Sequence, residues 1–458
     1  MRLLLTIALI FSFSIYSNAQ ANHNNEESLV KTSKFNVKKE KKLYKQLDNL
    51  PVFENSFSGL CVYDVEKGEY VVQYNSDRYF TPASNTKIFS FYSGITNIGD
   101  RIPTLYYTEK EDSLIIWGSG APTLLYSEFD DDAAFKFLKN TKKQIYFSDA
   151  NFSKEHFGAG WAWDDYNENY SKDISPLAVY GNAVNVTLYP NGTWEVNPKQ
   201  FRDSIKVYSN AKKFKLRRDE RTNNFEMWLP ATNSKDTLHK EVPFITSTQL
   251  NLKLLSDSIN KEIIYLDRKI HKDDINQSIY GIASDSIYKV MMQDSDNFLA
   301  ESVLLMSAMN IKQTDSLNRS CQIDYLLKND LADLTHKPRW VDGSGLSRYN
   351  LFTPKSMVEI LIKIREEAMS KDHNMDKIFE FFPTGGKTGT LDGRFKDLPP
   401  FIHAKTGTVS NNHNLSGYLI TKSGKLLIFS YMNNHYKYKT STIKKQTDTI
   451  LEDFYKYY

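Results

Sequence analysis

The chain has 458 residues, enough for two or three domains and a large buried core, and its 58 basic and 55 acidic side chains nearly cancel. That balance gives no overall pull toward nucleic acid or acidic membranes. Two cysteines make no disulfide scaffold, and nine histidines without a His-x-x-x-His or a Cys–His cluster give no support for metal catalysis.

In chain order, residues 1–19 read as a secretory signal peptide. Arg2 precedes an apolar run from Leu3 to Ile15, and Ser17 and Ala19 are the small residues that suit cleavage before Gln20. The run is short for a bilayer, no cysteine follows it for lipidation, and nothing later approaches a membrane span. The mature chain is therefore expected outside the cytoplasmic membrane, in a periplasm or beyond. Val37–Leu50, lysine-rich with leucines at 43, 47 and 50, predicts an amphipathic helix lying on a sheet. Two strands, Gly59–Val65 and Tyr70–Tyr74, follow around a turn at Gly68, and Cys61 reads as a core thiol of the first.

Thr81-Pro82-Ala83-Ser84-Asn85-Thr86-Lys87 then reads as a helix start, with Thr81 as cap and Pro82 in the first position. Ser84 falls among the first N–H groups, which lack intrahelical partners, and Lys87 at i+3 shares its face. From about 108 to 276 the texture changes to short strand-like runs such as Ser113–Gly118, Gln144–Ser148 and Val184–Tyr189, with little helical periodicity. Helices return at Ser286–Met292, Asn297–Met309, Pro354–Met369 and Asp376–Phe382. Strands Ile402–Lys405, Asn414–Thr421 and Leu426–Tyr431 and a helix at Thr442–Tyr457 close the chain. Helices beside an antiparallel sheet whose strands come from both ends predict an α+β domain, 20–107 and 277–458, split by a β-rich insertion at 108–276.

Ser-x-x-Lys alone is cheap, since about two copies are expected by chance in such a chain, and it recurs from Ser209, Ser286 and Ser441. Order selects Ser84. Only it precedes the insertion, then Ser295-Asp296-Asn297 before a helix, then a strand-borne Lys-Thr-Gly. Lys-Thr-Gly-Thr occurs twice, at Lys387–Thr390 in a glycine-rich loop and at Lys405–Thr408 on a strand. A lysine aimed from a sheet edge needs rigid support, so Lys405 is expected to be the active one.

With these motifs the chain resembles the D-alanyl-D-alanine carboxypeptidase/endopeptidases of the class C low-molecular-mass penicillin-binding proteins. The resemblance also covers Gly158-Ala159-Gly160-Trp161-Ala162-Trp163-Asp164-Asp165, Ser295–Glu301 and Asp342-Gly343-Ser344-Gly345-Leu346-Ser347. It implies a serine β-lactamase/penicillin-binding-protein-like transpeptidase domain and no cofactor. Its partners would be peptidoglycan stem peptides ending in D-Ala-D-Ala and β-lactams as covalent inhibitors. Ser84 would be the nucleophile, Lys87 its base and Ser295 the proton relay. Asn297 would hold the substrate amide, Lys405 and Thr406 would meet its terminal carboxylate, and the Ser84 and Thr408 N–H groups would flank the oxyanion beyond Gly407. Asp149 either matches an acidic residue that binds a diamino-acid side chain in some relatives or caps a turn, and the Trp161–Trp163 pair reads as core of the insertion. A class A β-lactamase would share the trio, but it needs a deacylating glutamate after Ser-Asp-Asn. Here Glu301 follows at once inside the helix, and the next is Glu359.

Overall fold

Strands from opposite ends of the chain meet in one sheet. The structure, a computed structural model, describes residues 26–231, 234–269, 277–309, 316–371 and 374–458. The signal peptide expected at 1–19 lies outside them. The first section carries α1 (Glu40–Asp48), β1 (Phe57–Asp64), β2 (Glu69–Tyr74) and α2 (Lys87–Asn97). The middle holds β3 (Arg101–Lys110), β4 (Ser113–Gly118), α3 (Ala133–Asn140), β5 (Gln144–Ser148), β6 (Ala183–Leu188) and β7 (Trp194–Asn197). It continues with β8 (Ile205–Ala211), β9 (Lys215–Arg218), β10 (Phe225–Pro230), β11 (Leu238–Pro243), α4 (Thr248–Ile259), β12 (Ile263–Tyr265) and β13 (Gln277–Ala283). The last section runs α5 (Ser284–Gln293), α6 (Asn297–Ala308), α7 (Arg319–Lys328), α8 (Pro354–Ser370), α9 (Met375–Phe379), β14 (Ile402–Val409), β15 (Asn412–Ile420), β16 (Leu426–Asn434) and α10 (Thr440–Tyr457).

The first sheet has the order β14-β15-β16-β1-β2 and is antiparallel throughout. Both of its faces are covered. Leu60 and Val62 join the layer of Leu43 and Leu47 of α1 and Ile450 and Phe454 of α10. Cys61, one residue away, joins the opposite layer with Phe89, Phe91, Val303 and Leu361. Strand side chains alternate between faces, so a strand buried on both sides reads as the unbroken apolar run seen at Leu60–Val62. All of α6 is buried, because it lies in the middle of the helical layer. Each fully buried Leu, Val or Phe contributes about 1.5–3 kcal/mol over leaving it exposed. Cys61 and Cys321 are both free thiols.

The middle section builds a mixed sheet, β12-β5-β4-β3-β13, and two three-stranded sheets, β8-β10-β9 and β11-β6-β7. Its strands extend outside 108–276 on both sides, since β3 begins at Arg101 and β13 ends at Ala283. Leu105, Ile116, Val186, Phe225 and Leu254 share one core. The expectation that helices are scarce here misses α3 and α4. The second has an ordinary start signal, Ser247, whose side chain accepts from the Leu250 N–H. Among the described residues no helix is long and apolar enough to cross a membrane.

Candidate active site

The expected helix cap at Thr81 is not how Ser84 is held. Ser84 lies in a short 3₁₀ turn, Ala83–Thr86, that runs into α2, with no side-chain cap at its start. Ala83 sits at φ 49°, a left-handed conformation that costs an alanine free energy and needs support. The sheet supplies it. Asn414 Nδ2 donates to the carbonyls of Thr81 (2.9 Å) and Pro82 (2.8 Å), and Asn434 Oδ1 accepts from the Thr81 N–H at 2.6 Å. Asn85 Nδ2 donates to the Lys405 carbonyl at 2.5 Å. Asparagines on β15 and β16 therefore bend the chain where Ser84 projects.

Lys87 Nζ lies 3.1 Å from Ser84 Oγ and also donates to Asn297 Oδ1 at 2.6 Å and to the Ser344 carbonyl at 2.8 Å. It is completely buried. Burial pulls its pKa down to about 8, against Asp296, Asp342 and Glu301, which favour the charged form. Asn297 is the first residue of α6 rather than its cap; that is Asp296, which accepts from the Leu299 N–H. Both ends of the Asn297 amide are in use, since its Nδ2 donates to the Tyr170 carbonyl at 3.0 Å.

Across the cleft, Lys405 Nζ donates to Ser295 Oγ at 2.7 Å and to the Thr406 carbonyl at 3.0 Å. Its side chain is buried, whereas Lys387 of the duplicate motif is exposed. Burial first and the Lys87 charge second hold the Lys405 pKa well below the ordinary lysine range. Ser295 adopts φ 63°, a second left-handed non-glycine residue at the site. The duplicate motif still takes part: Thr390 Oγ1 accepts from Thr406 Oγ1 at 2.8 Å. Thr408 Oγ1 lies 2.8 Å from His413 Nδ1. Gly407 lets β14 pass directly under the Ser84 turn. A Cβ there would stand 2.4 Å from the Pro82 carbonyl oxygen and 3.1 Å from the Ser84 nitrogen. β14 is the last strand of its sheet, paired with β15 on one side and, at its start, bridged to Thr384 on the other, where the Ala404 N–H donates to the Pro383 carbonyl at 2.9 Å.

Ser84, Ser295, Asn297 and Thr408 line one cavity of about 570 Å³. Its rim adds residues that sequence reasoning missed: Asp165, Tyr170 and Arg348. Asp165 and Arg348 stand within motifs quoted from the sequence or beside them, but local pattern does not say which loop residue faces the cleft. Asp149 does not line this cavity. It lies in a separate one of about 250 Å³ in the middle section, accepting from the hydroxyls of Thr248 and of Tyr265 (2.9 Å). The tryptophan pair divides. Trp163 is 76% exposed, while the indole of Trp161 donates to Asp342 Oδ2 at 2.8 Å.

A serine and two buried lysines, set between a helical layer and the edge of an antiparallel sheet, define a serine acyl-transfer site of the β-lactamase and penicillin-binding-protein type. Comparisons narrow this. The model of the D-Ala-D-Ala carboxypeptidase 3 (S13) family matches residues 39–454, and the chain belongs to that family. It is 22% identical over 455 residues to the D-alanyl-D-alanine carboxypeptidase DacB of Haemophilus influenzae, covering 88% of this chain and 92% of that one. It is 21% identical over 415 residues to the penicillin-sensitive carboxypeptidase A of Dictyostelium discoideum, covering 78% of each. The crystal structure of penicillin-binding protein 4 from H. influenzae superposes with a TM-score of 0.66 at 22% identity, over 88% of this chain and 97% of that one.

Proposed function

We propose that Ser84 is the nucleophile with which this serine-type D-Ala-D-Ala carboxypeptidase opens peptidoglycan stem peptides. One observation carries the reading: a single cleft sets Lys87 Nζ 3.1 Å from Ser84 Oγ and Lys405 Nζ 2.7 Å from Ser295 Oγ. Ser84 Oγ attacks the carbonyl of the D-Ala-D-Ala bond and gives its proton to neutral Lys87, which a pKa of about 8 makes available near neutral pH. The oxyanion forms between the Ser84 and Thr408 N–H groups, where losing one donor typically costs about 2.7–4 kcal/mol. The C–N bond then breaks. Ser295, backed by Lys405, passes a proton to the departing D-alanine amine, and water releases the shortened peptide from Ser84.

Two further roles belong to this reading. Lys405 is buried, with its Nζ on Ser295 Oγ and the Thr406 carbonyl, so it acts on the terminal carboxylate as a charge from behind Ser295. An arriving carboxylate favours its protonated form. Asn297 joins Lys87 to the Tyr170 backbone, so it orients the base as well as any substrate amide. Asp165 and Arg348 present opposite charges on the rim, suited to a stem-peptide side chain with an amine and a carboxylate. β-Lactams acylate the same serine, and the composition of residues 1–19 supports export to the compartment where such substrates occur.

The test is release of D-alanine from a pentapeptide stem and from a cross-linked muropeptide dimer. Ser84→Ala is expected to lower release about 10⁴-fold or more and to abolish the penicillin adduct. Release from the variant at the wild-type rate would refute the assignment. Comparing the two substrates divides carboxypeptidase from endopeptidase work.

A further inference from the structure

Lys87 takes its third contact from a loop that is itself clamped. The Ser344 carbonyl that accepts from Lys87 Nζ belongs to the turn Asp342–Ser347, and two fully buried carboxylates hold that turn. Asp342 accepts from the N–H groups of Gly345 (2.9 Å) and Ser347 (2.7 Å) and from Asn350 Nδ2 (2.6 Å). Glu301 Oε1 accepts from the Ser344 N–H at 2.8 Å, and its Oε2 from Arg319 Nη1 at 2.6 Å. The turn is wedged as well as bonded. A Cβ on Gly343 would stand 2.6 Å from the Ala300 carbonyl oxygen, and one on Gly345, at φ 83°, would stand 1.9 Å from that of Ala83.

The outer ends of both carboxylates lead to the middle section of the chain. Trp161 Nε1 donates to Asp342 Oδ2 at 2.8 Å. Arg319 Nη2 faces the carbonyls of Glu155 (3.4 Å) and Phe157 (3.3 Å). Buried ion pairs are weak sources of stability, and apolar replacements often do as well. A buried pair that ends on the residue beside a reacting amine has another use. The geometry points to Glu301 and Asp342 as positioning residues that fix the Ser344 carbonyl against Lys87, with Arg319 and Trp161 letting the inserted segment Glu155–Trp161 set that arrangement.

This rests on the Ser84–Lys87 reading and deepens it: the insertion aims the base as well as bordering the cleft. The charged groups facing Lys87 are Asp296, Asp342 and Glu301 from the helical side and Lys405 from the sheet. The three carboxylates favour its protonated form. Removing one therefore frees the neutral amine at lower pH, and the acid limb of acylation should move down.

The experiment measures the first-order rate constant for acylation by a saturating fluorescent penicillin from pH 5 to 10. That constant does not scale with the folded fraction. Wild type is expected to show an acid limb near pH 8, matching the Lys87 value of about 8. Glu301→Gln keeps an acceptor for Ser344 but removes the charge, so its limb should fall by about half a unit to one unit. Trp161→Phe, at a half-buried position, should lower the plateau about tenfold by loosening the turn that fixes the Ser344 carbonyl against Lys87. Wild-type plateau and limb in both variants overturn the proposal. If Glu301→Gln does not fold, Trp161→Phe decides alone, and an unchanged plateau overturns it. Absence of any adduct in wild type would instead strike the Ser84 assignment.

Discussion

The section built from the chain ends and the section inserted between them solve the same burial problem differently. In the first, a fully antiparallel sheet is covered on both faces, and its strands join residues as far apart as Phe57 and Asn434. In the second, one five-stranded and two three-stranded sheets mix parallel pairs (β4 with β5, β5 with β12, β8 with β10) with antiparallel ones around a shared core. Register is strongly specified where burial decides which way each side chain points. The doubly covered sheet can therefore carry a site that tolerates little displacement, and that is where Gly407 passes beneath Ser84. The middle section supplies Asp165 and Tyr170 of the cleft's rim and the far ends of the carboxylate clamp.

Substitutions can break this contrast or sharpen it. The largest effect is expected at the duplicated motif. Lys405→Ala should cut penicillin acylation about 10²–10³-fold, whereas Lys387→Ala, at an exposed position, should change it by less than about twofold. Equal losses would mean that the loop copy carries the charge. Next come two glycines, neither with room for a Cβ. A Cβ on Gly407 would press on the Pro82 carbonyl at 2.4 Å and one on Gly118 on that of Pro176 at 1.9 Å. Gly407→Ala should slow acylation about 10–100-fold by displacing Ser84. Gly118→Ala should instead lower unfolding stability by about 1–3 kcal/mol and leave the acylation rate constant within a few-fold. Thermal melts beside stopped-flow acylation separate the two outcomes. The smallest is Asp149→Asn, which turns an amide on one of two donating hydroxyls and should cost about 1–2 kcal/mol of stability. A fall in kcat/KM with the melting temperature unchanged would return Asp149 to substrate binding.

The same contrast explains what could be read in advance. Ser84, Lys87, Ser295, Asn297 and Lys405 stood out because each belongs to a short motif whose order and setting are themselves informative. Strands such as Gly59–Val65 and Leu426–Tyr431 were legible because burial on both faces leaves a continuous apolar signature. Thr81 was misjudged. A threonine–proline start looks like a capped helix, but the turn is held by Asn414 and Asn434, more than 300 residues away in sequence. In α4 the apolar spacing is interrupted by polar residues, and the short strands around it set the expectation for the whole stretch. Asp165, in the 3₁₀ turn Trp163–Asn167, and Arg348, in a loop, point where tertiary packing directs them, which no local period records. Trp161 reads as core from its local pattern; Asp342, the carboxylate that accepts from its indole N–H, lies 181 residues further along the chain.

The pairing of β1 with β16 also has a consequence for synthesis. Lys405 and all three strands from β14 to β16 are made hundreds of residues after Ser84, so β1 has no neighbour on that side until the last part of the chain has emerged. Contacts this non-local form late, because the loop between them must be closed first. A half-made chain therefore carries Ser84 without the strand that presses against it and without the lysine that backs Ser295. A hydrolase directed at the wall of a living cell is in this way silent until its own last strand is in place.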